Sequence, residues 1–172
     1  TIELIKKLGE NGVQVGLTTN GTLMGRYIDI IAEHVSWTRV SMDVASDEMF
    51  KNLRPTKTGK SKFNIVIDNM KELAKKKRGI LGYSFLIRTR ADGLIENPAG
   101  SNIGLIEHTN VYEIYDAAKL AKEIGCDYFE LKPSYDDFHQ IVMHSEKDMQ
   151  IATVQLEMSK KLEDQNFRVL ES

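Results

Sequence analysis

The strongest constraint on this chain is the alternation, along its whole length, of short β-forming apolar runs with stretches of helical spacing. After Gly12, residues 13–17 read as a first buried strand, and residues 37–43, rich in β-formers, as a second. Residues 80–87 are nearly continuous in apolar side chains, as expected of a strand covered on both faces. Residues 127–132, stopped by Pro133, and 167–170 complete the set. Helical stripes lie between them: Ile2, Leu4, Ile5 and Leu8; Tyr27, Ile31 and His34; Met49, Phe50 and Leu53 between a Ser46 cap and Pro55. Three longer stripes follow: Phe63, Val66, Ile67, Met70, Leu73 and Ala74; Ile114, Ala117, Ala118 and Ala121; and Met149, Ala152, Leu156 and Leu162 behind a Ser145 cap. Asn110 and Glu113 have capping-box spacing, and Gly125 suits a helix end. The order is α-β-α-β-α-α-β-α-β-α-β. Strands separated by helices need crossover connections, so the expected fold class is α/β with a parallel sheet, open or rolled into a barrel.

A length of 172 residues suits a single domain spanning 1–172. With 23 basic and 25 acidic residues there is no basic excess, which argues against a dedicated nucleic-acid binder. No apolar run reaches about 18 residues, so no membrane span is expected. Cys126 is the one cysteine and has no internal partner, which makes a reducing, cytoplasmic setting the expectation. Residues 89–110, containing Asn97-Pro98-Ala99-Gly100, read as a long loop or insertion. A chain that opens at Thr1 inside a helical stripe and closes on a strand just entered is expected to be part of a longer protein.

Ligands of parallel α/β sheets and barrels sit beyond the carboxyl ends of the strands. Here those ends carry Thr18-Thr19-Asn20-Gly21, Ser41-Met42-Asp43, Arg88 and Glu130-Leu131-Lys132-Pro133. Alternation puts Ser41 and Asp43 on one face, and Glu130 and Lys132 on one face. Each residue alone reads as a helix cap or turn former; together they suggest polar groups converging on one cavity. His139 and His144 are five apart, so they do not share a helical face and read as satisfied or exposed histidines. The run 75–78 reads as a solvated helix end, and Gly9, Gly12 and Gly16 form no phosphate-binding fingerprint.

Gly16-Leu17-Thr18-Thr19-Asn20-Gly21-Thr22-Leu23, then Val40-Ser41-Met42-Asp43, then Leu53-Arg54-Pro55, resembles the middle of a radical S-adenosylmethionine enzyme. The helix from Phe63 to Ala74, an apolar strand, and residues 121–128 leading to Lys132-Pro133 continue the similarity in order. The resemblance implies part of a (β/α)6 partial barrel. It also implies S-adenosylmethionine as cofactor and a 5′-deoxyadenosyl radical that takes hydrogen from a substrate left unidentified. Thr19, Asn20, Ser41, Asp43 and Arg54 match positions near the nucleotide's methionine part or ribose, Asn20 chiefly as a shaper of the turn. Glu130, Lys132 and Tyr135 are expected to face the substrate. The family's Cys-x3-Cys-x2-Cys loop is not in this sequence, so the [4Fe–4S] cluster would be held by a part of the protein outside it. Two other readings stand beside this one. Lys132 could form a Schiff base in a barrel lyase or aldolase. Alternatively, a non-catalytic domain could bind a partner, or self-associate, through an open sheet edge.

Overall fold

The computed structural model describes residues 2–89, 109–134 and 144–172. Five strands, β1 (Gly16–Thr19), β2 (Trp37–Ser41), β3 (Ile80–Leu86), β4 (Tyr128–Lys132) and β5 (Arg168–Glu171), form one sheet in the order β1-β2-β3-β4-β5. Every neighbouring pair is parallel. Each crossover therefore returns the chain to the next position in the same direction, and right-handed crossovers that always step the same way lay their helices on one face. That is the winding of a barrel rather than of a doubly wound sheet.

The helices are α1 (Ile2–Glu10), α2 (Ile28–His34), α3 (Asp47–Leu53), α4 (Phe63–Lys76), α5 (Ile114–Ile124) and α6 (Glu146–Lys160). α2 packs between α1 and α4, and α5 between α4 and α6. Beneath them the helix-facing side chains are buried: Thr38, Val40 and Met42; Leu81, Tyr83 and Phe85; Phe129 and Leu131; and Val169. Each large apolar side chain buried there contributes roughly 1.5–3 kcal/mol, so this layer is the main source of stability.

The first strand begins later than the apolar run 13–17 suggests. Gly12, at φ +74°, ends α1 in the left-handed conformation. Its N–H donates to the Gly9 carbonyl and that of Val13 to the Leu8 carbonyl, the paired bonds of a Schellman motif. Val13 is spent on closing the helix and is 48% exposed, and the strand starts at Gly16. Met149, placed by spacing on the inner stripe of α6, is 40% exposed, whereas Ala152, Leu156 and Ser159 face inward.

The capping box at Asn110 and Glu113 does not form; both side chains brace the strand ends. The Asn110 amide donates to the carbonyls of Asp43 and Leu86, each at 2.8 Å, and its oxygen accepts from the Arg88 N–H at 2.8 Å. The Glu113 carboxylate accepts from the Ala45 N–H at 2.6 Å and from the Ser46 hydroxyl, while Ser46 caps α3 at the Met49 N–H. Two elements far apart in sequence thereby fix where β2 and β3 end. Asn110 is fully buried, so Asn110→Ala leaves three backbone groups unsatisfied. A loss of about 3 kcal/mol is expected, read from the midpoint of denaturant unfolding.

Candidate functional site

The face opposite the helices is polar. Strand register places Thr18, Arg39, Gly82, Tyr128 and Arg168 in one cross-strand row and Ser41, Ser84, Glu130 and Leu170 in the next. Leu86 and Lys132 start a third row nearer the carboxyl ends. β3 contributes only a glycine and a serine to the two middle rows, so longer side chains from β2 and β4 lean over it. An added Cβ at Gly82 would lie 2.0 Å from the Tyr128 ring, which shows that the ring rests across the glycine.

Over this trough the side chains of β2 and β4 meet. Arg39 Nη1 approaches Glu130 Oε2 at 3.4 Å and Lys132 Nζ approaches the same oxygen at 3.1 Å, while the Ser172 hydroxyl donates to Oε1 at 2.8 Å. Arg39 and Glu130 lie two strands apart, about 9–10 Å of backbone spacing, and only the small residues between let them touch. Burial opposes ionisation of Glu130, but the Ser172 hydroxyl and the Lys132 and Arg39 cations outweigh it and hold its carboxyl below the usual glutamate value. Tyr128 is shifted the other way: burial first, and then the neighbouring Glu130 charge, raise its phenol. The Arg39 guanidinium also lies over the Trp37 ring at 5.8 Å, which restricts where it can point.

At the carboxyl ends of β1 and β2 the expected nucleotide residues separate. Thr19 pairs in register with buried Val40, so it turns to the helix side, and its hydroxyl accepts from the Gly21 N–H at 3.1 Å. Asn20 accepts from the Thr22 N–H and hydroxyl and shapes the same turn. Gly21, at φ +78°, has no room for a side chain: an added Cβ would lie 2.6 Å from Val66. Asp43 and Arg54 are brought together, paired at 2.5 Å between Nη2 and Oδ2. Asp43 sits at φ +63°, and its other oxygen accepts from the Leu86 N–H at 2.9 Å. Both oxygens of Asp43 are thus spent inside the fold. Ser41 is half-buried on the open face with no hydrogen-bond partner among the described residues.

Tyr135, His108, His139 and the loop 90–108 lie outside the described residues. His144 is held between hydroxyls, with Nδ1 2.7 Å from Thr89 Oγ1 and Nε2 3.4 Å from Ser134 Oγ. Sequence spacing gives no sign of that contact, nor of Arg39, which looks like an ordinary strand residue until the register is known. Among the described residues no three His, Cys, Asp or Glu side chains gather as a metal site. Cys126 is buried, and desolvation, with Asp127 adding to it, pushes its thiol well above the usual value. Nor is any described helix long and apolar enough to cross a membrane.

The fold has known counterparts. A domain of pyruvate-formate lyase-activating enzyme from Bacteroides vulgatus ATCC 8482 matches 99% of this chain over 88% of its own, at TM-score 0.58 and 14% identity. SuiB of Streptococcus suis, in a crystal structure bound to S-adenosylmethionine, matches 99% of this chain over 36% of its own, at TM-score 0.62 and 11% identity. At these identities the likeness is one of fold: a parallel α/β sheet wound as part of a partial barrel. No protein-family model matches the chain, and no curated protein matches it.

The Glu130 network has a pH signature. A carboxyl held below its unfolded value adds stability that is complete above the unfolded value, about 4.3, and is lost as pH falls through the lower folded value. Glu130→Gln is therefore expected to lower stability at neutral pH and to flatten its decline below pH about 4.3, as measured by urea unfolding across that range.

Proposed function

We propose that this chain is the central and C-terminal part of a radical S-adenosylmethionine enzyme, acting in the cytoplasm. The reading is supported by barrel-type winding shared with a protein bound to S-adenosylmethionine, in a chain that carries the motifs at 16–23, 40–43 and 53–55 in order. In such an enzyme the nucleotide is the source of a 5′-deoxyadenosyl radical that takes a hydrogen atom from the substrate. Ser41 is the residue best placed to meet the nucleotide, because its hydroxyl has no partner among the described residues and lies on the open face at the carboxyl end of β2. Arg54 could take the ligand's carboxylate by exchanging it for Asp43, and the exchange keeps its fork paired throughout. Thr19 and Asn20 contribute the turn rather than direct contacts.

The residues present do not fit a [4Fe–4S] cluster. Three thiolates are required, and the sequence has one cysteine, buried and held as the thiol. Cluster ligands therefore belong to a part of the protein outside these 172 residues, and no step through the cluster is assigned to any residue here. Lys132, the lysine that a Schiff-base lyase would use, is engaged by the Glu130 carboxylate at 3.1 Å.

The test uses the longer protein containing these residues, reconstituted anaerobically with iron and sulfide. A charge-transfer absorbance and, on reduction with S-adenosylmethionine, 5′-deoxyadenosine are expected; a protein that takes up no cluster rejects the proposal. Cys126→Ala should leave iron content unchanged. Ser41→Ala should weaken S-adenosylmethionine binding about fivefold to tenfold, the worth of one hydrogen bond.

A further inference from the structure

The network around Glu130 is unequal in a way that points to an absent partner. Both carboxylate oxygens are engaged, one by Ser172 and the other by Arg39 and Lys132. The cations are not saturated. A guanidinium carries five N–H donors and an ammonium three, and among the described residues Arg39 and Lys132 each touch one acceptor side chain, Glu130. The Arg39 contact is long at 3.4 Å, so its fork is not closed on the carboxylate. Arg168 stands exposed in the same row as Tyr128 and adds a third positive charge, against Glu130 as the only acid on the described part of this face.

A purely structural role explains this arrangement poorly. Half-buried ion pairs add little stability, and the apolar layer under the helices already supplies the core. What the arrangement supplies is spare donors in a trough. Trp37 restricts the guanidinium, the small Gly82 and Ser84 let the side chains of β2 and β4 lean across β3, and the protonated phenol of Tyr128 lies over the glycine as another donor.

We propose that this trough binds an oxyanion, a carboxylate or phosphoryl group, with Arg39 and Lys132 as its cationic clamps and Glu130 as the internal anion that holds them in position when the ligand is absent. A bidentate guanidinium and a mobile ammonium on two strands match a planar or tetrahedral oxyanion, and a cationic ligand would meet a surplus of like charge. The inference rests on the radical-enzyme reading only in naming the ligand group as part of that enzyme's substrate.

The test is titration of the protein with inorganic phosphate and, separately, with acetate, followed by calorimetry and by amide chemical shifts. Saturable binding is expected. Binding of phosphate alone identifies a phosphoryl ligand, binding of acetate alone a carboxylate, and binding of both the shared chemistry. Arg39→Gln and Lys132→Gln should each weaken binding about tenfold, the scale of one lost charge-assisted contact. Glu130→Gln, which keeps the side chain's shape, should tighten binding several-fold by removing the competing anion, an effect that a merely structural glutamate would not produce. Absence of binding by both probes, indifference to both cation variants, or weaker binding in Glu130→Gln overturns the inference. Neither cofactor nor cluster enters the titration, so the two readings fail separately: anion binding without a cluster rejects only the radical-enzyme reading. Formation of 5′-deoxyadenosine without anion binding rejects only the oxyanion site.

Discussion

The arrangement depends on how the carboxyl ends of β2 and β3 are tied together. Hydrogen bonds between β2 and β3 end near Ser41 and Ser84, and past that point the backbone groups facing across this pair need other partners. Asp43 supplies them by adopting a left-handed conformation that ordinary side chains avoid and aspartate tolerates. From there one oxygen reaches the Leu86 N–H, the other holds Arg54, and its carbonyl receives the Asn110 amide. Glu113 secures the start of α3 from the far side, and the buried Tyr83 hydroxyl donates to the Val44 carbonyl. Four side chains thus do beyond the strands what the ladder does within them. The open face keeps its shape up to the rim because these ties are made by the fold.

The alternation of elements was readable because it rests on periodicity, which survives without tertiary information. The stripes of α4 and α5, the Ser46 and Ser145 caps and Gly125, at φ +94°, depend on near neighbours in sequence, and they stand as read. Features that depend on distant neighbours were not readable. Asn110 and Glu113 have the spacing of a local cap, but partners 67 and 68 residues earlier in sequence compete for the same atoms and take them. Val13 is as good a strand former as Val15, yet Gly12 commits it to the end of α1.

The candidate site shows the same division at finer scale. In a strand, which face a side chain takes changes with every residue, so an uncertain strand boundary leaves the facing of a terminal residue open. Thr19 lies opposite Val40 and turns to the helices, while Ser41 looks onto the trough as the last residue of β2, a strand that ends two residues short of the run 37–43 because Asp43 turns out of it at φ +63°. Glu130 and Lys132 share that face, as alternation within β4 requires. Arg39 was invisible as a partner because its link to Glu130 crosses a third strand and depends on Gly82 and Ser84, two residues that carry no chemical signal of their own.

Those two small residues explain why the sheet can serve stability and chemistry together. On the helix side β3 presents Leu81, Tyr83 and Phe85, all fully buried, and fills the space completely. On the other side the middle of the same strand presents only Gly82 and Ser84, between Ile80 and Leu86, and the space over these two is occupied by charged and phenolic groups from its neighbours. A larger residue at position 82 would displace the Tyr128 ring, and a larger one at 84 would come between Arg39 and Glu130. An apolar residue at either place would add buried area while separating groups that meet only across a gap. The polar trough follows from keeping the two middle positions of the central strand small on one face, and the packed layer beneath makes that omission tolerable.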